Sequence, residues 1–217
     1  MSLVYAIGDV HGCHDRLLAA VEKIITHATT RPYRAFFLGD YVDRGPKSRE
    51  VVNFVRDLVA GEAMRGEWFA LRGNHEAMMF DALSGHGGLA NWLDNGGGET
   101  LESYGGRDAE LMEHARWLGS LPTMLQTAHH CFVHAGVSPR YSLEQQPEDV
   151  LLWIRGWEKA DHDFGKHVVY GHTPKPRPEL RRFSTGLDTG AFLGGPLSVG
   201  VFDADLAGGP VDILEAR

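Results

Sequence analysis

The chain holds 217 residues, 43% of them hydrophobic and 23% charged, which is enough to bury a full core within one domain. Its formal net charge of -8 speaks against a general nucleic-acid or membrane-surface binder, because such proteins need basic patches to meet phosphates and headgroups. Only Cys13 and Cys131 are present, with no CxxC spacing, so neither a disulfide framework nor a zinc ribbon is indicated and two reduced thiols are expected. The N-terminal run MSLVYAIG passes into an acidic loop, unlike a signal peptide, and no apolar stretch reaches the 18 residues of a membrane span. The expectation is a soluble, cytoplasmic protein.

Residues 3–7 read as a buried strand, after which Leu17, Leu18, Val21, Ile24 and Ile25 recur at helical spacing. A second apolar run covers residues 35–38. Val51, Val52, Phe54, Val55, Leu58 and Val59 then mark another helix, with Ser48 as its N-cap. A third strand is expected at residues 68–71. This β-α-β-α-β order predicts a layered α/β arrangement with parallel strands and right-handed crossovers. The glycine-rich stretch 84–98 is expected to be an irregular connection, a mobile flap over a cleft, that leads into a short helix at 99–104. One more helix is expected at 109–118, and the pattern then turns β-rich, with strands at 124–127, 131–134, 167–170, 186–191 and 197–202. No repeat or linker divides the chain, so the strands of both halves are expected to share one core in a single domain, 1–217.

Each of the first three strands runs into a polar loop: GDVHG at 8–12, GDYVDRG at 39–45 and RGNHE at 72–76. Two later strands do the same with VHAG at 133–136 and YGHT at 170–173. In open α/β sheets the carboxyl ends of the strands are where ligands bind, and a neighbouring glycine lets the backbone close in. The donors gathered are Asp9, His11, Asp40, Asn74, His134 and His172. Oxygen and imidazole donors without thiolate suit Mn²⁺, Fe²⁺ or Zn²⁺. Six donors are too many for one open ion and suit two ions sharing a carboxylate. His14, His27, His86, His114, His129, His130, His162 and His167 have no such setting and are read as ordinary structural histidines.

Together and in this order, GDVHG, GDYVDRG, GNHE, HAG and GHT resemble the signature of the calcineurin-like metallophosphoesterases, in particular the PPP family of serine/threonine phosphatases. NGGGETLESYG at 95–105 is similar to the linker of the short bacterial and phage members. The resemblance implies an α/β (α+β) fold in which a two-sheet β sandwich is flanked by helices, with a dinuclear centre at the strand ends. It implies that Asp9 and His11 hold one ion, that Asp40 bridges, and that Asn74, His134 and His172 hold the other, with Mn²⁺ the first expectation and Fe/Zn the alternative. His75 falls where the family keeps its general acid, with Asp43 as its partner, and Arg44, Arg72 and Arg155 match phosphate-facing arginines. The implied chemistry is in-line attack on phosphorus by a metal-bridging hydroxide, with His75 protonating the leaving oxygen.

The implied substrate is a phosphorylated protein or peptide. Diadenosine tetraphosphatases look very similar but tend to show GNHD and to lack the second Asp of GDYVDRG, and both features here favour the phosphatase. A broad phosphomonoesterase is a further alternative, and a binding module that has lost its chemistry is disfavoured because all six donors and His75 are present. The later stretch DTGAFLGG, 188–195, is read either as a turn between strands or as an approach to the substrate.

Overall fold

The structure is a computed structural model and describes residues 2–61 and 65–217. Two five-stranded mixed sheets pack face to face. The first contains β1 (Leu3–Ile7), β2 (Tyr33–Phe37), β3 (Glu67–Ala70), β9 (Leu197–Asp203) and β10 (Asp212–Ala216) in the order β10-β9-β1-β2-β3. The second contains β4 (Met124–Gln126), β5 (His130–Val133), β6 (His167–Tyr170), β7 (Glu179–Leu180) and β8 (Ser184–Gly186) in the order β4-β5-β6-β8-β7. β1, β2 and β3 run parallel, as do β5, β6 and β8, while β4, β7, β9 and β10 join antiparallel. The parallel strands β1, β2, β3, β5 and β6 send their carboxyl ends toward one rim.

The two-residue period of β1 explains the layering. Leu3, Tyr5 and Ile7 face a helical layer, whereas Val4 and Ala6 enter the inter-sheet core with Phe36, Leu38, Leu71, Phe132, Val169, Leu187 and Phe202. Phe36 and Phe132 stack across that core at 4.1 Å. The helical layer includes α1 (His14–Ala28) and α2 (Ser48–Val59). Leu17, Ala20, Val21, Ile24 and Ala28 of α1 are buried in one stripe, as are Val51, Val52, Val55 and Leu58 of α2. α3 (Asn74–Leu83) and α6 (Ala109–Gly119) complete it. The outer face of the second sheet is covered by Leu143, Trp157 and, from α7 (Glu148–Trp153), Leu151. No helix among the described residues is long and apolar enough to cross a membrane.

Several local expectations change. Ser48 opens α2 from inside, with Lys47 at the N-cap position, and its hydroxyl accepts the Asp43 N–H at 3.2 Å instead of capping the helix. The expected strand at 186–191 is instead β8, which ends at Gly186; residues 187–190 are irregular and lead through Gly190, in the left-handed region (φ 66°), into a short 3-10 helix at Ala191–Leu193. α3, α7, β7 and β10 are additional to the expected elements. The expected flap is half right in shape: residues 84–91 lie on the surface, but α4 (Leu89–Trp92), a wide turn at Leu93–Gly97 and α5 (Gly98–Tyr104) bring Trp92 and Gly97 down into buried packing. The dense contacts over residues 92–97 argue against a flap that moves as a whole.

Candidate metal centre

The loops after β1, β2 and β3 carry Asp9 and His11, Asp40, and Asn74 to one rim, and the ends of β5 and β6 bring His134 and His172 to the same place. All six are buried. The loops are conformationally loaded: of the seven non-glycine residues with positive φ among the described residues, five are His11 (43°), Asp40 (54°), Asp43 (70°), Arg44 (69°) and His172 (68°). Each such residue costs about 1 kcal/mol or more, and clustering of this kind is typical of functional sites. Two glycines make the convergence possible. A Cβ on Gly171 would lie 2.0 Å from Asp9 Oδ1, and one on Gly73 would lie 2.2 Å from Asp40 Oδ1.

Hydrogen bonds fix which ring nitrogens face inward. His11 donates its Nδ1–H to the Val42 carbonyl at 2.8 Å, and His134 donates its Nδ1–H to the Leu38 carbonyl at 2.9 Å. Each is left with an Nε2 lone pair. His134 Nε2 points at Asn74 Oδ1 at 2.8 Å, and Asp40 Oδ1 lies 3.4 Å from the same nitrogen. A lone-pair nitrogen and a carbonyl oxygen at that separation are two acceptors facing each other, an arrangement that a cation between them satisfies. His172 Nδ1 reaches the same Asn74 oxygen at 2.9 Å. Asp40 Oδ2 faces His11 Nε2 at 3.4 Å. The two Asp40 oxygens thus serve different histidines, and the ligand atoms of His11, Asp40 and His75, and of Asp40, His134 and His172, form two compact clusters that share Asp40. Asp9 lies beside them with its carboxylate on the His172 N–H at 2.9 Å.

The electrostatics agree with this fit. Burial lowers His11 and His172 to about 3 and lowers His134 as well. Against the upward push of burial, His134, His75, His11 and His172 hold the Asp40 carboxyl well below the usual range. Burial, with Asp188 and Asp40 close by, pushes Asp9 well up. Burial pushes Asp188 up to about 6 and, together with the charge of Asp40, pushes Glu76 up to about 7. Asp9, Asp188 and Glu76, whose charged forms are disfavoured without a counter-charge, sit with Asp40 in a centre suited to divalent cations.

Around this cluster, His75 gives its Nδ1–H to Asp43 Oδ2 at 2.7 Å, and its Nε2 lies 4.0 Å from Asp40 Oδ2. Burial alone would lower this ring, but Asp40 and Asp43 outweigh it and raise it. Asp43 is held further by Trp92, whose Nε1–H reaches Oδ1 at 3.0 Å and Oδ2 at 3.1 Å, and by the Thr100 hydroxyl, which donates to Oδ1 at 2.7 Å. Arg44 lies over the Phe192 ring at 4.7 Å and brings Nη1 within 3.0 Å of His11 Nε2. Arg155 is exposed and donates to Thr173 Oγ1 at 3.0 Å. Arg72 is committed elsewhere, giving Nη1 to the Gly119 carbonyl at 2.9 Å and pairing Nη2 with Glu148 at 2.5 Å. The structure thus brings Arg44 onto the cluster but places Arg72 on these two partners instead of free toward a phosphate.

Glu76 corrects one inference. Its carboxylate accepts the N–H groups of Asp40, Tyr41 and Gly73, each at 2.8 Å, and that of Val42 at 3.4 Å. Its acidic end braces the Asp40 loop and Gly73, so the choice between GNHE and GNHD is an argument about loop support and not about substrate contact. Trp92 and Thr100 were not singled out from the sequence, whereas Glu76 entered only as the acidic end of GNHE and Asp188 only within DTGAFLGG. The only local signal for Trp92 was a large aromatic set within a glycine- and asparagine-rich stretch.

Residues 2–191 match the calcineurin-like phosphoesterase family. Serine/threonine-protein phosphatase 1 of Salmonella typhimurium is 29% identical over 215 residues, covering 90% of this chain and 90% of that protein. The asymmetrical bis(5'-nucleosyl)-tetraphosphatase PrpE of Bacillus velezensis is 27% identical over 220 residues, covering 88% of this chain and 86% of its own length. The symmetrical enzyme of Methylococcus capsulatus is 31% identical over 141 residues, which is 65% of this chain but only 45% of that protein. The chain therefore spans about half the length of that symmetrical relative. Among solved structures, a candidate diadenosine tetraphosphatase superposes with a TM-score of 0.73 at 19% identity, covering 99% of this chain and 94% of the other. With the two-sheet architecture and a dinuclear donor set at the strand ends, the chain belongs to the calcineurin-like phosphoesterase family.

Proposed function

We propose that this metallophosphoesterase hydrolyses phosphorylated serine or threonine side chains in a protein or peptide. Asp9, His11, Asp40, Asn74, His134 and His172 would hold two divalent ions, Mn²⁺ before an Fe/Zn pair. When bound, such ions supply Lewis acidity and a water activated near neutral pH. Arg44 is placed to neutralise phosphoryl oxygens, with Arg155 as a second cation at the rim.

The observation that carries this reading is the buried His75–Asp43 pair, 2.7 Å apart, with His75 Nε2 turned toward the cluster. A serine or threonine alkoxide is a strong base and leaves poorly without a proton. Nucleoside diphosphate, the leaving group when a dinucleoside tetraphosphate is split symmetrically, is a weak base that needs none. An oriented general acid, typically worth roughly 10² to 10⁴ in rate, therefore serves the monoester of an alcohol far more than an anhydride. The near full-length similarity to serine/threonine-protein phosphatase 1 supports the same reading.

Hydrolysis of dinucleoside tetraphosphates is the second reading, favoured by the relatives that carry that name and by the removal of Glu76 from the specificity argument. The deciding measurement is kcat/KM on a phosphothreonine peptide and on diadenosine tetraphosphate with one Mn²⁺-loaded preparation. The peptide is expected to be the better substrate, and the reverse order would overturn the proposal.

A further inference from the structure

The stretch NWLDNGGGET lies far in sequence from the loop it touches, yet it supplies most of what surrounds Asp43. Trp92 and Thr100 are fully buried, 49 and 57 residues from Asp43. The indole N–H is shared between both carboxylate oxygens, at 3.0 and 3.1 Å. The Thr100 hydroxyl donates to Oδ1 at 2.7 Å and accepts the N–H of the same aspartate at 2.9 Å. Asp43 Oδ1 thus has two donors, and Oδ2 has the indole in addition to His75. The glycines between Trp92 and Thr100 allow this approach. A Cβ on Gly97 would sit 2.6 Å from the Trp92 ring. One on Gly96 (φ 102°) would sit 2.6 Å from the backbone nitrogen of Arg44, whose N–H bonds the Gly96 carbonyl at 3.2 Å.

We propose that Trp92 and Thr100 are positioning residues for the general acid: by occupying both oxygens of Asp43 they fix the plane of its carboxylate and hence the direction of His75 Nε2. Asp43 sits at φ 70°, where an aspartate backbone is not held by its own preference. Its carboxylate would otherwise be free to rotate about the single bond to Cβ, carrying the imidazole with it. The step served is the breaking of the phosphorus–leaving-oxygen bond. The bonding pair stays on the leaving oxygen, the Nε2 proton of His75 passes to that oxygen, water provides the oxygen that replaces it on phosphorus and gives up a proton to solvent, and His75 regains a proton from solvent. The inference rests on the reading of His75 as the general acid.

Leaving-group dependence reads this role where overall activity does not, because a general acid matters for a basic leaving oxygen and little for p-nitrophenolate. With Mn²⁺-loaded protein, kcat and KM are measured for p-nitrophenyl phosphate, phenyl phosphate and a phosphothreonine peptide. Thr100→Val and Trp92→Phe should each lower kcat by roughly 10- to 100-fold on the peptide and phenyl phosphate, in line with the cost of small misplacements of reacting groups. The loss on p-nitrophenyl phosphate should be several-fold smaller, and metal content should match the unsubstituted protein. Thr100→Ser should restore the unsubstituted pattern, because the hydroxyl returns. His75→Asn should show the same leaving-group dependence more steeply. Equal losses on all three substrates in both Thr100→Val and Trp92→Phe, or no loss, beside a steep series in His75→Asn, would overturn this inference alone. A flat series in His75→Asn would overturn the general-acid reading itself. Trp92→Phe keeps the ring that packs on Gly97, so the question stays answerable if Thr100→Val does not fold.

Discussion

Replacing Glu76 by Gln turns one carboxylate oxygen into an NH₂ group without changing shape, and the structure shows what that does. Oε1 accepts from Tyr41 at 2.8 Å and Val42 at 3.4 Å, and Oε2 accepts from Asp40 and Gly73 at 2.8 Å each. Whichever way the amide turns, two buried N–H groups face a donor. Each stranded donor costs about 1–3 kcal/mol. The cheaper orientation gives up the weaker Val42 contact, so a loss of about 3 kcal/mol is expected. That is a large fraction of a stability of about 5–15 kcal/mol. The assay is urea unfolding of chelator-treated protein at pH 8, followed by tryptophan fluorescence, with metal content after reloading measured in parallel. Because Asp40 is one of the residues whose N–H is freed, affinity for the ions should fall as well. A loss below 1 kcal/mol with full metal binding would mean that the carboxyl is protonated and already donating, and the account of a purely accepting brace would be refuted.

Three more outcomes are expected. Asp40→Asn should deplete bound metal by elemental analysis, whereas Asp43→Asn should keep two ions and lose roughly 10²-fold or more in kcat on the phosphopeptide; equal depletion in both would sink that division of roles. Adding Mn²⁺ at about 100 times its dissociation constant to chelator-treated protein should contribute about 2.7 kcal/mol, or about 5–10 °C in Tm for a chain of this size, and an unchanged Tm in scanning calorimetry would count against the cation fit at Asn74 and His134. Burial lowers His130 and His167 to about 4 from the ordinary 6.5. An unfolded chain therefore takes up protons that the folded one refuses as pH falls from about 6.5 to 4, and each histidine removes up to about 1.4 kcal/mol per pH unit. Urea midpoints should fall from pH 7 to pH 5, and less so in His130→Leu.

The legible parts of the sequence were those with local signatures. The first three strands and α1, α2 and α6 announced themselves by period, and the donor loops by an aspartate, histidine or asparagine beside a glycine after an apolar run. α3 was hidden because its first turn is Asn74, His75 and Glu76, which read as loop chemistry although they are helix residues. β7 has two residues, and β10 has only Ala216 fully buried, so neither carries a pattern. Trp92 and Thr100 escaped for a different reason. Their significance lies in bonds spanning 49 and 57 positions, and no local window contains both partners. Arg72 matched its motif by position, but Gly119 and Glu148, which hold its guanidinium, come from distant segments.

β9 pairs along the whole of β1, with Leu3 opposite Asp203 and Ile7 opposite Val199. β1 is thus synthesised long before one of its two neighbours. Until residues 197–203 emerge, a strand whose five residues are all buried in the finished fold has one unsatisfied edge. Such edges recruit other chains, and pairings this distant in sequence form slowly. The loop bearing Asp9 and His11 issues directly from that strand. Competence to bind the ions should therefore arise only after residues 197–203 have been made, which makes a nascent chain truncated before residue 197 both metal-poor and the species most prone to aggregate.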